Sequence, residues 1–117
     1  SPWGRAPPPA RPIPPQKADP MRWIAIFTDT PDMLAIRAER GEQHLAYLRA
    51  HTDEILIGGG CREAPGTPFV GGLWVLEAPS RERAMELIEN DPYWVPAHRS
   101  VRLLTWGKGL EDVMVTL

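Results

Sequence analysis

Between residues 21 and 106 the apolar positions change rhythm five times, and each change marks an element. "MRWIAIFTD" (21–29) is apolar at Trp23, Ile24, Ala25, Ile26 and Phe27, on both faces of an extended chain, which predicts a short central strand. Thr30 and Pro31 then offer an N-cap and a first-turn proline for a helix through about Ala50. Leu34, Ala38, Gly41, Leu45 and Leu48 recur at three-and-four spacing and predict its buried stripe, with His44 on the stripe's edge. "EILIGGG" (54–60) is a second strand running into glycines, and "PFVGGLWVLEA" (68–78) a third. Ser80 caps a second helix, "SRERAMELIEND", whose inward residues are Ala84, Leu87 and Ile88. "SVRLLTW" (100–106) is the fourth strand.

The order βαββαβ predicts an α+β, ferredoxin-like domain: an antiparallel four-stranded sheet with two helices on one face. The sheet's other face would then be apolar and uncovered. A second copy related by a two-fold axis is the simplest cover, so burial alone leads us to expect a homodimer.

Composition adds boundaries. At 117 residues the chain holds one core, in residues 21–108, with a C-terminal extension over 109–117. Eight of its 14 prolines fall in residues 1–20, which read as a polyproline-type extension with Trp3 and Ile13 as its apolar anchors. That stretch lacks the apolar core of a secretory signal and the serine-rich amphipathic pattern of a transit peptide, and Met21 is the expected natural start. Residues 21–117 carry ten basic and 14 acidic side chains, a balance of −4, without a basic stripe. Nucleic acid is therefore not an expected partner, because phosphate contacts dominate that affinity. No apolar run approaches membrane-spanning length, and the single cysteine, Cys61, fits a reducing cytoplasm. Cys61 has no neighbour in sequence that would lower its pKa, so it reads as a small buried hydrophobe.

The candidate chemistry lies at two places. Asp91 follows Ala84 by seven residues, Leu87 by four and Ile88 by three, so the core-facing stripe of the second helix carries it inward. Pro92 drives Asp91 out of helical dihedrals and holds it at a helix terminus. Either it bonds nearby amides, as aspartate before proline often does, or it serves a partner. His44 has two readings as well: a hydrogen-bonded helix histidine, or a proton carrier whose tautomer a carboxylate fixes. Two helices side by side over one sheet make a His44–Asp91 bond feasible. Gly58-Gly59-Gly60 matches neither phosphate-cradling glycine pattern and reads as a bent or bulged strand end. His44 and His51 lie about 10 Å apart along a helix, too far to share a zinc ion, so no metal site is expected. Trp23, Trp74 and Trp106 read as core or interface residues. Trp94, just past the aspartate, is the expected pocket wall. An inward-pointing Arg37 or Arg40 would suit a substrate carboxylate or phenolate.

Arg37, Arg40, His44-Leu45, Gly58-Gly59-Gly60, Ala84 and Asp91-Pro92-Tyr93, in this order and spacing, resemble the YCII-related (YciI-like) family over about residues 21–108. The resemblance implies a dimeric α+β barrel of subunits packed through their sheets. It also implies an active-site pair, His44 and Asp91; no haem or flavin motif stands out, so no cofactor is expected. The best-understood relative is a dehydrochlorinase acting on a chlorinated hydroxyquinol. After Tyr93 the family often has alanine-glycine; here "WVPAHRS" brings Pro96 and His98 to that rim. The expected function is a small enzyme using His44 as general base or acid, oriented by Asp91, on a small cyclic or aromatic oxygenated molecule. Arg37, Arg40, Tyr93, Trp94 and Gly59 are the expected substrate contacts. Two alternatives stand beside it: a small-molecule binding or sensing module without catalysis, and a cofactor-free monooxygenase.

Overall fold

Alternate residues of the first strand point into one core, and the rest of the domain is arranged around that strand. The computed structural model describes residue 4, residues 6–8 and residues 20–117. Trp3 and Ile13 lie outside the described residues. The elements run β1 (Met21–Asp29), α1 (Met33–Ala50), β2 (Ile55–Arg62), β3 (Phe69–Ala78), α2 (Arg81–Glu89) and β4 (Arg99–Thr105). The four strands form one antiparallel sheet in the order β2-β3-β1-β4, the βαββαβ arrangement expected.

Register decides which residues meet. Ala25 pairs with Trp74 and Leu103, and Trp23 with Leu76, so these side chains share the helix-facing side. There they pack with Phe27, Ile55, Ala78, Ala84, Leu87 and Ile88 into one core. Each large apolar side chain buried this way stabilises the domain by about 1.5–3 kcal/mol. Ser80 caps α2 as expected, its hydroxyl accepting from Arg83 N–H at 3.1 Å. On the opposite face Ile24 lines up with Val75 and Leu104, and Ile26 with Leu73. These residues are partly or fully exposed, so the second face is apolar as expected. Past β4, Met114, Val115 and Leu117 return beside Ile57, Val75 and Trp106 and bound a hollow of about 430 Å³ on that same side.

Three expectations need correction. The first helix begins at Met33, not after Thr30: Asp32 takes the cap position without a side-chain bond, while Thr30 N–H donates to His98 O at 2.8 Å. The inward stripe of α1 is Met33, Arg37, Arg40, Gly41, His44, Tyr47 and Leu48, whereas Leu34, Ala38 and Leu45 face outward, Leu45 at 62% exposure. The apolar spacing misled because polar side chains occupy the inward positions. Cys61 is exposed rather than buried, because β2 is an edge strand.

At Gly71 the strands approach so closely that a Cβ would sit 2.0 Å from the Phe27 carbonyl oxygen, so a side chain is excluded there by backbone. Among the described residues no helix is long and apolar enough to cross a membrane.

Candidate active site

His44 occupies the middle of α1's inward face, not its edge, and this places the imidazole over the sheet. Asp91 arrives from the other helix. The α2 stripe buries Ala84, Leu87 and Ile88, and the chain then turns at Asn90 so that Asp91 is only 4% exposed. His44 Nδ1 lies 2.7 Å from Asp91 Oδ1. An ionised carboxylate only accepts, so the proton of this bond sits on Nδ1 and leaves Nε2 free to take or give another. The same oxygen accepts from Tyr93 N–H at 3.1 Å. The Tyr93 ring stacks on the imidazole with centroids 3.8 Å apart and planes 9° from parallel. Arg40 donates to Pro92 O at 3.1 Å and so ties α1 to the loop that carries the carboxylate.

A second polar cluster lies at the far end of β1. Asp29, whose side chain is fully buried, pairs in register with Arg99, the first residue of β4. Arg99 Nε donates to Oδ1 at 2.7 Å and its NH2 to Oδ2 at 3.0 Å. Arg37 reaches Oδ2 at 3.1 Å from α1 and also donates to Gly71 O at 2.8 Å. Burial alone would raise the Asp29 pKa, but the bonds and charges of Arg99, and then of Arg37, outweigh it and hold it below its ordinary value. Beside the His44–Asp91 pair, Tyr47 O–H donates to Leu87 O at 2.5 Å. Burial, with the Asp91 charge second, pushes this phenol up to about 12.

Between the clusters lies a hollow of about 20 Å³ walled by Phe27, Arg37, His44, Trp74, Tyr93 and Arg99 together with the backbones of Gly59, Gly60 and Gly72. A Cβ on Gly72 would stand 3.9 Å from Arg99 NH2, so the missing side chain keeps this space open. The hollow shares Arg37, His44, Gly59, Gly60 and Tyr93 with an outer groove of about 440 Å³ along α1 and β2, where Leu45, Leu48, Gly58 and Phe69 also contribute.

Of the residues expected at the site, His44, Asp91, Arg37, Tyr93 and Gly59 come together. Arg40 serves the loop instead, and lines neither space. Trp94 packs against the core, and Trp74, expected in the core or an interface, takes the wall position expected of Trp94. His98 sits by Thr30, 3.3 Å from its hydroxyl, and 3.7 Å from Asp32. Gly58–Gly60 pair regularly with β3, and the irregularities of β2 lie on either side of them, at Ile55/Ile57 and Cys61/Arg62. Asp29 and Arg99 carried no local signal: they stand 70 residues apart and meet only through the β1–β4 register. No group of three or more metal-ligating side chains occurs among the described residues.

These elements define a ferredoxin-like α+β domain with a histidine and an aspartate meeting between its two helices. The YCII-related domain model matches residues 21–107, and the chain belongs to that family. It is 30% identical over 84 residues to aspercryptin biosynthesis cluster protein B of Emericella nidulans, an alignment covering 65% of this chain and 54% of the relative. The chain thus spans about half the length of that relative. Among solved structures it is similar to the 5-chloro-2-hydroxyhydroquinone dehydrochlorinase of Burkholderia phenoliruptrix in complex with 2,5-dihydroxybenzoquinone, with a TM-score of 0.67 and 26% identity. That likeness covers 76% of this chain and 96% of the dehydrochlorinase.

Proposed function

We propose that this protein is a small enzyme that moves a proton on a cyclic or aromatic oxygenated molecule, in an isomerisation or an elimination of the dehydrochlorinase kind. The 2.7 Å bond between His44 Nδ1 and Asp91 carries the reading, because it leaves Nε2 as the proton-transferring atom of an imidazole that lines the hollow. His44 Nε2 takes a proton from the substrate, and the electron pair left behind forms a new double bond. In an elimination the leaving group departs with its own bonding pair; in an isomerisation the imidazolium returns the proton to a different carbon. Arg37, Tyr93 and Gly59 contact the substrate, and the chain's own groups supply the proton step without a cofactor. The likeness to a dehydrochlorinase holding a dihydroxybenzoquinone supports this substrate class. We further propose that the apolar sheet face pairs with a second copy, and that the protein works in the cytoplasm.

Asp91→Asn tests the pair. The amide can donate to Nδ1, which favours the tautomer with its proton on Nε2 and removes the base. Long-range proton–nitrogen NMR of His44 should show the Nδ1–H form in the wild type and the Nε2–H form in the variant. Turnover of small phenols and lactones should fall about 10²–10⁴-fold, the contribution expected of positioned acid–base catalysis. An unchanged tautomer, or saturable binding with no turnover by the wild type, would reduce the protein to a binding module.

A further inference from the structure

Arg37 and Arg99 approach one buried carboxylate from different elements, and Asp29 cannot absorb all they offer. A guanidinium presents five N–H donors and a carboxylate about four acceptor positions. Arg99 spends its Nε and one terminal nitrogen on Asp29. Arg37 spends one nitrogen on Asp29 and Gly71 O, while its Nε is buried without an acceptor among the described residues. Both guanidiniums wall the hollow; neither Asp29 nor Asp91 does. The surface presented there is two fixed guanidiniums, with one net positive charge left after Asp29, and an imidazole, set among Phe27, Trp74 and Tyr93. In such an apolar frame, preorganised donors act on an anion far more strongly than in water.

Size narrows the anion. A space of about 20 Å³ holds one water-sized atom, for which about 10–15 Å³ suffices, and has no room for a ring. The adjoining groove, at about 440 Å³, has room for one. We propose that the hollow is an oxyanion seat in which Arg99 and Arg37, aimed by Asp29, hold a single ionised ring oxygen, phenolate or enolate, while the ring lies in the groove beside Tyr93, Phe69 and Leu48. A carboxylate or phosphate can place only one of its oxygens in this volume and must leave its remaining charge in the groove, away from the second guanidinium. The seat rests on the proton-transfer reading for its role in turnover: when His44 Nε2 removes a proton from carbon next to a carbonyl, the C–H pair becomes a C=C bond. The carbonyl π pair moves to oxygen, and that charge develops where the guanidiniums are fixed. Asp29 touches no substrate and is a positioning residue.

The test uses 4-nitrophenol, whose anion is coloured, and 4-nitrobenzoate, with the same ring and a carboxylate in place of the oxygen. Wild-type protein should bind nitrophenolate at least about tenfold tighter than both the neutral phenol and nitrobenzoate, the scale of charged hydrogen bonds. The bound dye should therefore be ionised at a pH where the free dye is largely neutral. Arg37→Met should remove most of this preference, Arg37→Lys should restore part of it, and Asp29→Asn should weaken it by loosening both guanidiniums. The comparison of ligands on the wild type stands even if Asp29→Asn does not fold. Equal affinity for nitrobenzoate, a bound dye that stays neutral, or no phenolate binding overturns the seat. A protein that seats the phenolate while its His44 tautomer ignores Asp91→Asn loses the proton-transfer reading and keeps the seat; the opposite pair of results removes the seat alone.

Discussion

His44 and Tyr93 are joined twice: their rings stack at 3.8 Å, and His44 Nδ1 and Tyr93 N–H both meet Asp91 Oδ1. The carboxylate therefore fixes the imidazole's tautomer, and the phenol fixes its plane. Tyr93→Leu keeps the backbone bond to Asp91 and removes the stack. Turnover should fall by up to about tenfold, the worth of an aromatic pair beyond its buried area. Steady-state kinetics beside a thermal unfolding curve would check this, since the fold should survive. Unchanged kcat would mean that Asp91 alone holds the imidazole.

Asp29 makes the domain sensitive to acid. Its carboxyl titrates below its ordinary value when folded, so the unfolded chain takes up its proton first as pH falls. The associated stability is present above about pH 4, where an unfolded aspartate is ionised, and is lost as pH drops through the lower folded value. Urea midpoints measured against pH should fall steeply across that window in the wild type, and less so in Asp29→Asn. At neutral pH Arg99→Met should cost about 3–5 kcal/mol by leaving a buried carboxylate underpaired. Parallel acid limbs in wild type and Asp29→Asn would show that other carboxylates govern acid unfolding.

Tyr47 sets a limit at the alkaline end. Its phenol is pushed up to about 12, so between the unfolded value near 10 and that figure the folded chain holds a proton that the unfolded chain has lost. Stability is fully present below about pH 10 and declines as pH rises through the folded value. Tyr47→Phe should abolish this alkaline slope while costing about 1 kcal/mol at neutral pH for the lost bond to Leu87 O. Spectrophotometric titration can read it directly, because the chain has only two tyrosines, Tyr47 and Tyr93.

The exposed sheet face gives a test of assembly. Ile24 lies in the central strand on that face, flanked by Val75 and Leu104. Ile24→Glu places a charge in the middle of the proposed contact and should convert a dimer to a folded monomer in analytical ultracentrifugation. A wild type that sediments as a monomer at every concentration would remove the dimer altogether.

The core was legible in the sequence where side chains are purely apolar: Ala84, Leu87 and Ile88 announced the inward face of α2, and Asp91 could be placed by counting along it. The same reasoning fell short on α1. There Arg37, Arg40 and His44 share the inward face with Gly41 and Leu48, while Leu34, Ala38 and Leu45 face outward, so hydrophobic spacing found only part of that face. A helix whose inward face is largely polar does not look amphipathic in the ordinary sense. Asp29 and Arg99 were hidden for another reason. Opposite charges at two strand ends become a pair only once register is known, and register is a property of the whole sheet.

Met33 is the single fully buried side chain of α1, against three in the helix half its length that bears Asp91. Beyond Met33 and the partly buried Tyr47 and Leu48, the inner face of the longer helix is held by polar bonds that water can replace, whereas the shorter one is anchored by apolar burial that water cannot replace. Regions with few buried apolar contacts open locally at a fraction of the global unfolding free energy. The imidazole thus rides on the more readily opened wall of its own site, and the carboxylate on the firm one.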